Sequence, residues 1–318
     1  MTVSRADSGL LSFRLLHGIR FMLGDSLGMR LAAKAALPAW GEAVPGCGFV
    51  LGCHAFALEE TGDPEGAERV GRRAVALEPG DVWGGHAVTH AMEVGGRARE
   101  GLAWLSRIEP RLPGVGNFAR HLFWHRALFH LRLGEGDAAL DLYDRRIREE
   151  PTEDVRDVMN AASLLWRLEA QGVPTGGWRW QELADLAERR IGDHAWAFAD
   201  LHYLLSLAAA GRLGAVQAML ASIRARALHG SDTQALVHAE VGLAAARAVA
   251  AAALEGEPGE AARLLEPLQG HLQRLGGSHT QRDLLRQMLR PAAAASGREA
   301  VADRSLATPG PPLRLREG

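Results

Sequence analysis

Two histidine pairs carry the most chemistry in this chain. His86 and His90 lie in DVWGGHAVTHAME, and His121 and His125 lie in NFARHLFWHRALFH. Each pair is spaced i, i+4, which on a helix projects both rings from one stripe. Glu93, seven residues beyond His86, extends the first stripe. Neutral imidazoles beside a carboxylate suit zinc, iron or copper, so the four rings can chelate a divalent transition metal of unspecified identity. The same groups can form an acid/base pocket, or a polar seam that hydrogen-bonds internally. The spacing admits all three.

The elements that position these pairs follow from the rest of the chain. Strand signals are nearly absent, and long stretches rich in Ala, Leu, Arg and Glu predict an all-α protein. Gly-containing turns recur between the helical segments: Gly62-Asp63-Pro64, Gly95-Gly96-Arg97, Gly134-Glu135-Gly136-Asp137, Gly211-Arg212 and Gly256-Glu257-Pro258. The steps from Gly66 to Gly101 and from Gly101 to Ala139 are 35 and 38 residues, close to the period of about 34 residues of tetratricopeptide repeats. Pro79, Pro113 and Pro151 close second helices of hairpins, where a proline cannot continue the ladder. Later helices are expected over 155–171, 180–191, 194–210, 215–228, 233–255 and 260–275. The predicted fold is a right-handed α-solenoid of tetratricopeptide-like helix-turn-helix repeats, one domain over 1–290, with mobile ends at 1–12 and 291–318. Neighbouring hairpins must stack to bury their apolar faces. That logic puts His86, His90, Glu93, His121, His125 and Asp200 on first helices, along an inner wall.

Composition narrows the partners. The 318 residues are 47% hydrophobic and 23% charged, enough for a sizeable core. With 36 basic and 38 acidic residues the formal charge is −2, so neither nucleic acid nor an anionic membrane is an expected partner. Cys47 and Cys53 are the only cysteines and read as buried apolar groups in a reducing, cytoplasmic setting. The most apolar run, 243–254, is too short for a membrane span and contains Arg247. No Walker loop, dinucleotide fingerprint or nucleophile elbow is present. Any enzyme here must use His, Asp, Glu and Arg.

Two further constellations stand out. In GGSHTQRD, Ser278 and Gln281 have the spacing of a capping box. His279, Arg282 and Asp283 then share the first turn of the helix, where Arg282 either grips an anion or forms an internal lock, the latter slightly favoured. Asp200 and His202, two apart, face opposite ways on a helix, so Asp200 is better placed to orient His86, His90, His121 or His125. Trp83, Trp104, Trp124 and Trp166 recur as core anchors, while Arg69, Arg72 and Arg73 read as a solvated face. His130 falls opposite His121 and reads as packing or surface.

With these residues in place, the sequence resembles the tetratricopeptide repeat protein 38 family from about residue 49 to 289. The stretches that carry the resemblance are DVWGGHAVTHAMEVGGRAREGLAWL, HLFWHRALFHLRLGEGDAALDLYD, AASLLWRLEAQGV, FADLHYLLSLAAAGR and GGSHTQRDLLRQML. The family pattern matches at His86, His90, Glu93, His121, Trp124, His125, Asp200, His202, Gly276, Gly277, Ser278, His279, Gln281, Arg282 and Asp283. Leu122 stands where asparagine is more typical and Asn160 where aspartate is, and the N-terminal helices are short for the family. The resemblance implies the repeat fold and leaves the activity open.

Two functions are carried forward. In one, a concave groove holds a protein or peptide partner or a small ligand. In the other, His86, His90, Glu93, His121, His125 and Asp200 form a catalytic pocket, metal-dependent through its four histidines. His202, His279, Arg282 and Asp283 would then bind a small anionic substrate for hydrolysis, elimination or another acid/base step.

Overall fold

The computed structural model describes residues 5–254 and 258–295. Among these the chain is all helix and turn, without a strand, and falls into two compact units, 5–135 and 136–295. Unit 1 comprises α1 (Arg5–Met22), α2 (Ser26–Ala36), α3 (Cys47–Glu60), α4 (Pro64–Leu77), α5 (Val82–Val94), α6 (Ala98–Ile108) and α7 (Asn117–Arg132). Aspartates start three of these helices by accepting orphan amide protons. Asp25 takes Gly28 N at 2.9 Å, Asp63 takes Gly66 N at 2.9 Å, and Asp81 takes Trp83 N and Gly84 N at 3.1 and 3.0 Å. Gly62 and Gly96 turn the hairpins at φ of 84° and 68°, a region only glycine enters freely.

The repeat character is visible in the packing. Helix α3 pairs with α4 and also lies on α5, while α5 pairs with α6 and touches α7, so first helices form one layer and second helices another. Glycine makes the α3–α5 contact close: a Cβ on Gly52 would sit 3.0 Å from Gly84 N and 3.1 Å from its Cα. The register of α5 is held from the other side, where Trp104 of α6 donates its indole N–H to Gly85 O at 2.9 Å. Trp124 is fully buried, as the sequence predicts for a core anchor, and Cys47 and Cys53 are buried free thiols.

Burial pushes the Asp81 carboxyl up to about 6, against the pull of the Gly84 and Trp83 amides and of Arg14. Its folded value lies above the unfolded value of about 3.9. Stability from this group is therefore fully present below pH 4 and is lost as pH rises through 6. Asp81→Asn keeps an acceptor for the helix start. It is expected to flatten the fall in unfolding free energy between pH 4 and 6, measured by urea denaturation at several pH values.

Unit 2 opens with α8 (Gly136–Leu142), which runs into a π-helical turn at Tyr143–Ile147. There follow α9 (Val155–Ala170), α10 (Gly177–Glu188), α11 (Ala197–Ala209), α12 (Leu213–His229), α13 (Thr233–Val237), a second π-helical turn at His238–Gly242, α14 (Leu243–Ala253), α15 (Pro258–Leu265) and α16 (His279–Ala295). Helix α11 packs on α9 and α14, and α15 packs on α14 and α16. The run Thr233–Ala253 is continuous through the π turn and is 21 residues long, and its most apolar 18-residue window has a mean hydropathy of 1.4. By length and composition it is long enough to cross a membrane, unlike the shorter stretch counted from sequence. Here 56% of its most apolar window is buried, and it packs against α11, α12 and α15.

Three boundaries differ from expectation. His194 does not begin a helix: it sits at φ 44°, ahead of α11. The segment 260–275 is broken by two 3-10 turns, Glu266–Leu268 and Leu272–Leu275, the first with proline at its start. Residues 291–295, expected in the C-terminal tail, continue α16 to Ala295 through alanines, the best helix formers; 296–318 and 1–4 lie outside the described residues. At the start of α16 the capping box is formed in both directions. Ser278 N donates to Gln281 Oε1 at 2.9 Å and Gln281 N donates to Ser278 Oγ at 3.2 Å. Ser278→Ala is expected to cost about 1 kcal/mol in chemical denaturation.

Candidate metal centre

In unit 1 the adjacent helices α5 and α7 bring the two histidine pairs face to face. His86 Nε2 lies 2.9 Å from His90 Nε2, 3.1 Å from His121 Nε2 and 3.1 Å from His125 Nε2, and His121 and His125 approach at 3.2 Å. All four donor atoms lie within 4.8 Å of one another. His90 and His125 are 0% exposed and His86 2%, with His121 half-buried at the rim.

Hydrogen bonding alone cannot organise this cluster. An imidazole nitrogen has one in-plane lone pair or one N–H, yet His86 Nε2 meets three other ring nitrogens, and those of His121 and His125 also meet each other. Some of these contacts must set lone pair against lone pair or proton against proton. A cation at the point of convergence accepts all four lone pairs. Donors about 2.1 Å from a shared ion sit about 3.0 Å apart at right angles and about 3.4 Å at tetrahedral angles, and the observed spacings of 2.9 to 3.2 Å lie near the right-angle end.

The surroundings fix the tautomer that such a site requires at His125. His125 Nδ1–H donates to Glu93 Oε2 at 2.8 Å, which leaves Nε2 bare. His90 Nδ1 faces Glu59 Oε2 at 3.6 Å, beside Glu60. Glu93 thus serves as the carboxylate partner of a histidine on the next helix. Burial, then the neighbouring His90 and His121, hold the His86 imidazolium far below its ordinary range. Aromatic rings wall the cluster: Phe56 stacks on His86 at 5.4 Å between centroids, Trp83 and Phe118 each lie 5.1 Å from it, and Trp124 stacks on His121 at 5.2 Å.

Glu59 and Glu60 escaped the sequence reading, since a Glu-Glu at a helix end reads as solvated; both are buried. The available signal was their stripe: Glu59 is three residues beyond Phe56, whose ring lies on His86.

The other expected site residues are in unit 2. Asp200 serves two histidines of its own unit. Its Oδ2 is 2.9 Å from His194 Nδ1 and 3.0 Å from His238 Nε2, two partners with no helical spacing to announce them. His202 is turned into its own helix, donating Nδ1–H to Phe198 O at 2.8 Å, and burial lowers it to about 4. Arg282 is 1% exposed and gives Nη1 to the carbonyls of Gly276 and Gly277, just ahead of its own helix. His279 and Asp283 stay half-buried, and Asp283 accepts from Gln287 at 2.5 Å. His130 pairs with Glu135 at 2.6 Å on the outer face of α7.

No model of a known protein family matches the chain. Among solved structures, the chain is similar to a tetratricopeptide repeat protein from Parabacteroides merdae, with 14% identity over 89% of this chain and 99% of that one, at a TM-score of 0.42. The repeat character of the fold stands on the helix packing itself.

Proposed function

We propose that this helical-repeat protein is a metal-binding protein whose His86, His90, His121 and His125 hold one divalent transition ion. The observation that carries the reading is the convergence of four Nε2 atoms, with spacings of 2.9 to 3.2 Å around His86 and between His121 and His125. An all-imidazole set selects zinc, copper, nickel or iron over magnesium and calcium. Four protein donors from two helices fill a tetrahedral shell, which is the character of a structural site. The ion would clip α5 to α7 and hold the first-helix layer of unit 1 in register. The resemblance to the tetratricopeptide repeat protein 38 family supports this site, since all four histidines and Glu93 are among the matching positions.

A second reading is favoured by the half-exposure of His121. If that ring yields to water or to a small anion, the ion becomes a Lewis acid with an open position, the acid/base enzyme of the sequence analysis. Cobalt(II) titration of the untagged, demetallated protein tests both. The expected result is the intense visible absorption of four-coordinate cobalt, lost in His125→Ala. Absence of those bands from the wild-type protein overturns the site, and a spectrum that changes on adding azide favours the open form over the structural one. Partner binding is a separate property of the repeat surface, supported by Leu11, Leu15 and Ile19, exposed by 62, 59 and 56% at helical spacing along α1.

A further inference from the structure

We infer that unit 2 carries a second transition-metal site, built from His194, Asp200 and His238 and independent of the four-histidine cluster. The three side chains are 4, 1 and 1% exposed. Asp200 Oδ2 is the shared corner, 2.9 Å from His194 Nδ1 and 3.0 Å from His238 Nε2, and the three donor atoms all lie within 4.8 Å of one another. Bonds of about 2.1 Å at right angles put neighbouring donors about 3.0 Å apart. Two imidazoles and one carboxylate on one face of an ion leave positions open on the other, the arrangement that suits iron(II) and its neighbours manganese, cobalt and zinc.

The independent observation is His238. Neither of its ring nitrogens makes a hydrogen bond: Nε2 lies close to Asp200 Oδ2 but out of line for one. Its Nδ1 lies against Gly242, where a Cβ would come within 2.7 Å of it. A buried imidazole with both nitrogens unsatisfied is costly. An ion bound by Nε2 and Oδ2 accounts for both the closeness and the misalignment. On His194 the second nitrogen, Nε2, meets Ser222 Oγ at 2.7 Å, as expected of a ligating histidine that donates its other N–H to a neighbour.

The backbone is also unusual at both histidines. His194 holds the only positive φ of a non-glycine residue among those described, and His238 opens a π-helical turn; both features concentrate at functional sites.

The same atoms also trace an Asp200–His194–Ser222 chain of the kind found in nucleophilic hydrolases. Ser222 lies in the interior of α12, where amide protons are committed to the helix ladder, so the helix supplies no oxyanion donors. That reading also leaves His238 without a role.

The test uses the untagged full-length chain, demetallated and then equilibrated with iron(II) or cobalt(II) alone, with metal counted per chain. Two equivalents are expected for the wild-type protein and one each for Asp200→Asn, His238→Gln and His86→Ala. His238→Gln keeps the Asp200–His194 contact, so it serves if Asp200→Asn fails to fold. Wild-type metal content in both His238→Gln and Asp200→Asn overturns the second site. Labelling of Ser222 by a fluorophosphonate, with metal content equal in wild type and His238→Gln, overturns it in favour of a nucleophile. A loss confined to the unit 2 variants, with His86→Ala unchanged, sinks the four-histidine reading instead and leaves this one standing.

Discussion

His86→Ala is expected to cost the protein its unit 1 metal and about 4 kcal/mol of unfolding free energy at metal concentrations a thousand-fold above the dissociation constant. His86 is singled out because its Nε2 is the nitrogen that meets all three others. Denaturation with and without a chelator separates the contributions. Chelation should destabilise the wild-type protein by most of that amount more than it destabilises His86→Ala, which has only the unit 2 ion to lose. A merely structural histidine would show the opposite: a variant less stable than wild type by the same margin in both conditions.

Gly52→Ala is the second large effect. One methyl group there would meet Asp81 Oδ2 at the helix start of α5 and crowd the backbone of Gly84. Flexible side chains can yield, but a backbone amide can move only with its helix, so α3 must separate from α5. Overpacking of this kind costs about 1 to 3 kcal/mol. It should also weaken metal affinity, because Phe56 and Glu59 on α3 flank His86 and His90. Melting temperature and the cobalt(II) titration midpoint are expected to shift together. A fall in stability with unchanged affinity would show that α3 does not support the cluster.

Much of unit 1 could be read in advance, and the reason is that its information is local. Histidine spacing of four, aspartates ahead of helices and glycines in turns act within one helical turn, so they survive in the linear sequence. The convergence of His86 and His90 with His121 and His125 needed one more step, that a hairpin period brings first helices side by side. What escaped is non-local. The partners that Asp200 has within unit 2, His194 and His238, went unforeseen because they lie on different elements, and nothing in the spacing of His194, Asp200 and His238 links the three. His194 sits in a left-handed turn that helix propensity cannot anticipate, and His238 sits in a π turn whose extra residue rotates every later side chain. Glu59 and Glu60 are buried because glycines let α3 approach α5, a property of two helices together. On charge alone Arg282 stayed open between an anion contact and an internal salt bridge, and the fold adds that its guanidinium donates to the carbonyls of the Gly276–Gly277 turn.

If His86, His90, His121 and His125 share one ion, one metal equivalent of the protein depends on them. Metal content of the untagged wild-type protein, set against that of the His86→Ala/His125→Ala double variant after identical zinc loading and dialysis, tests it most directly. The double variant is expected to hold one equivalent per chain less. Equal metal content in the two proteins would contradict it.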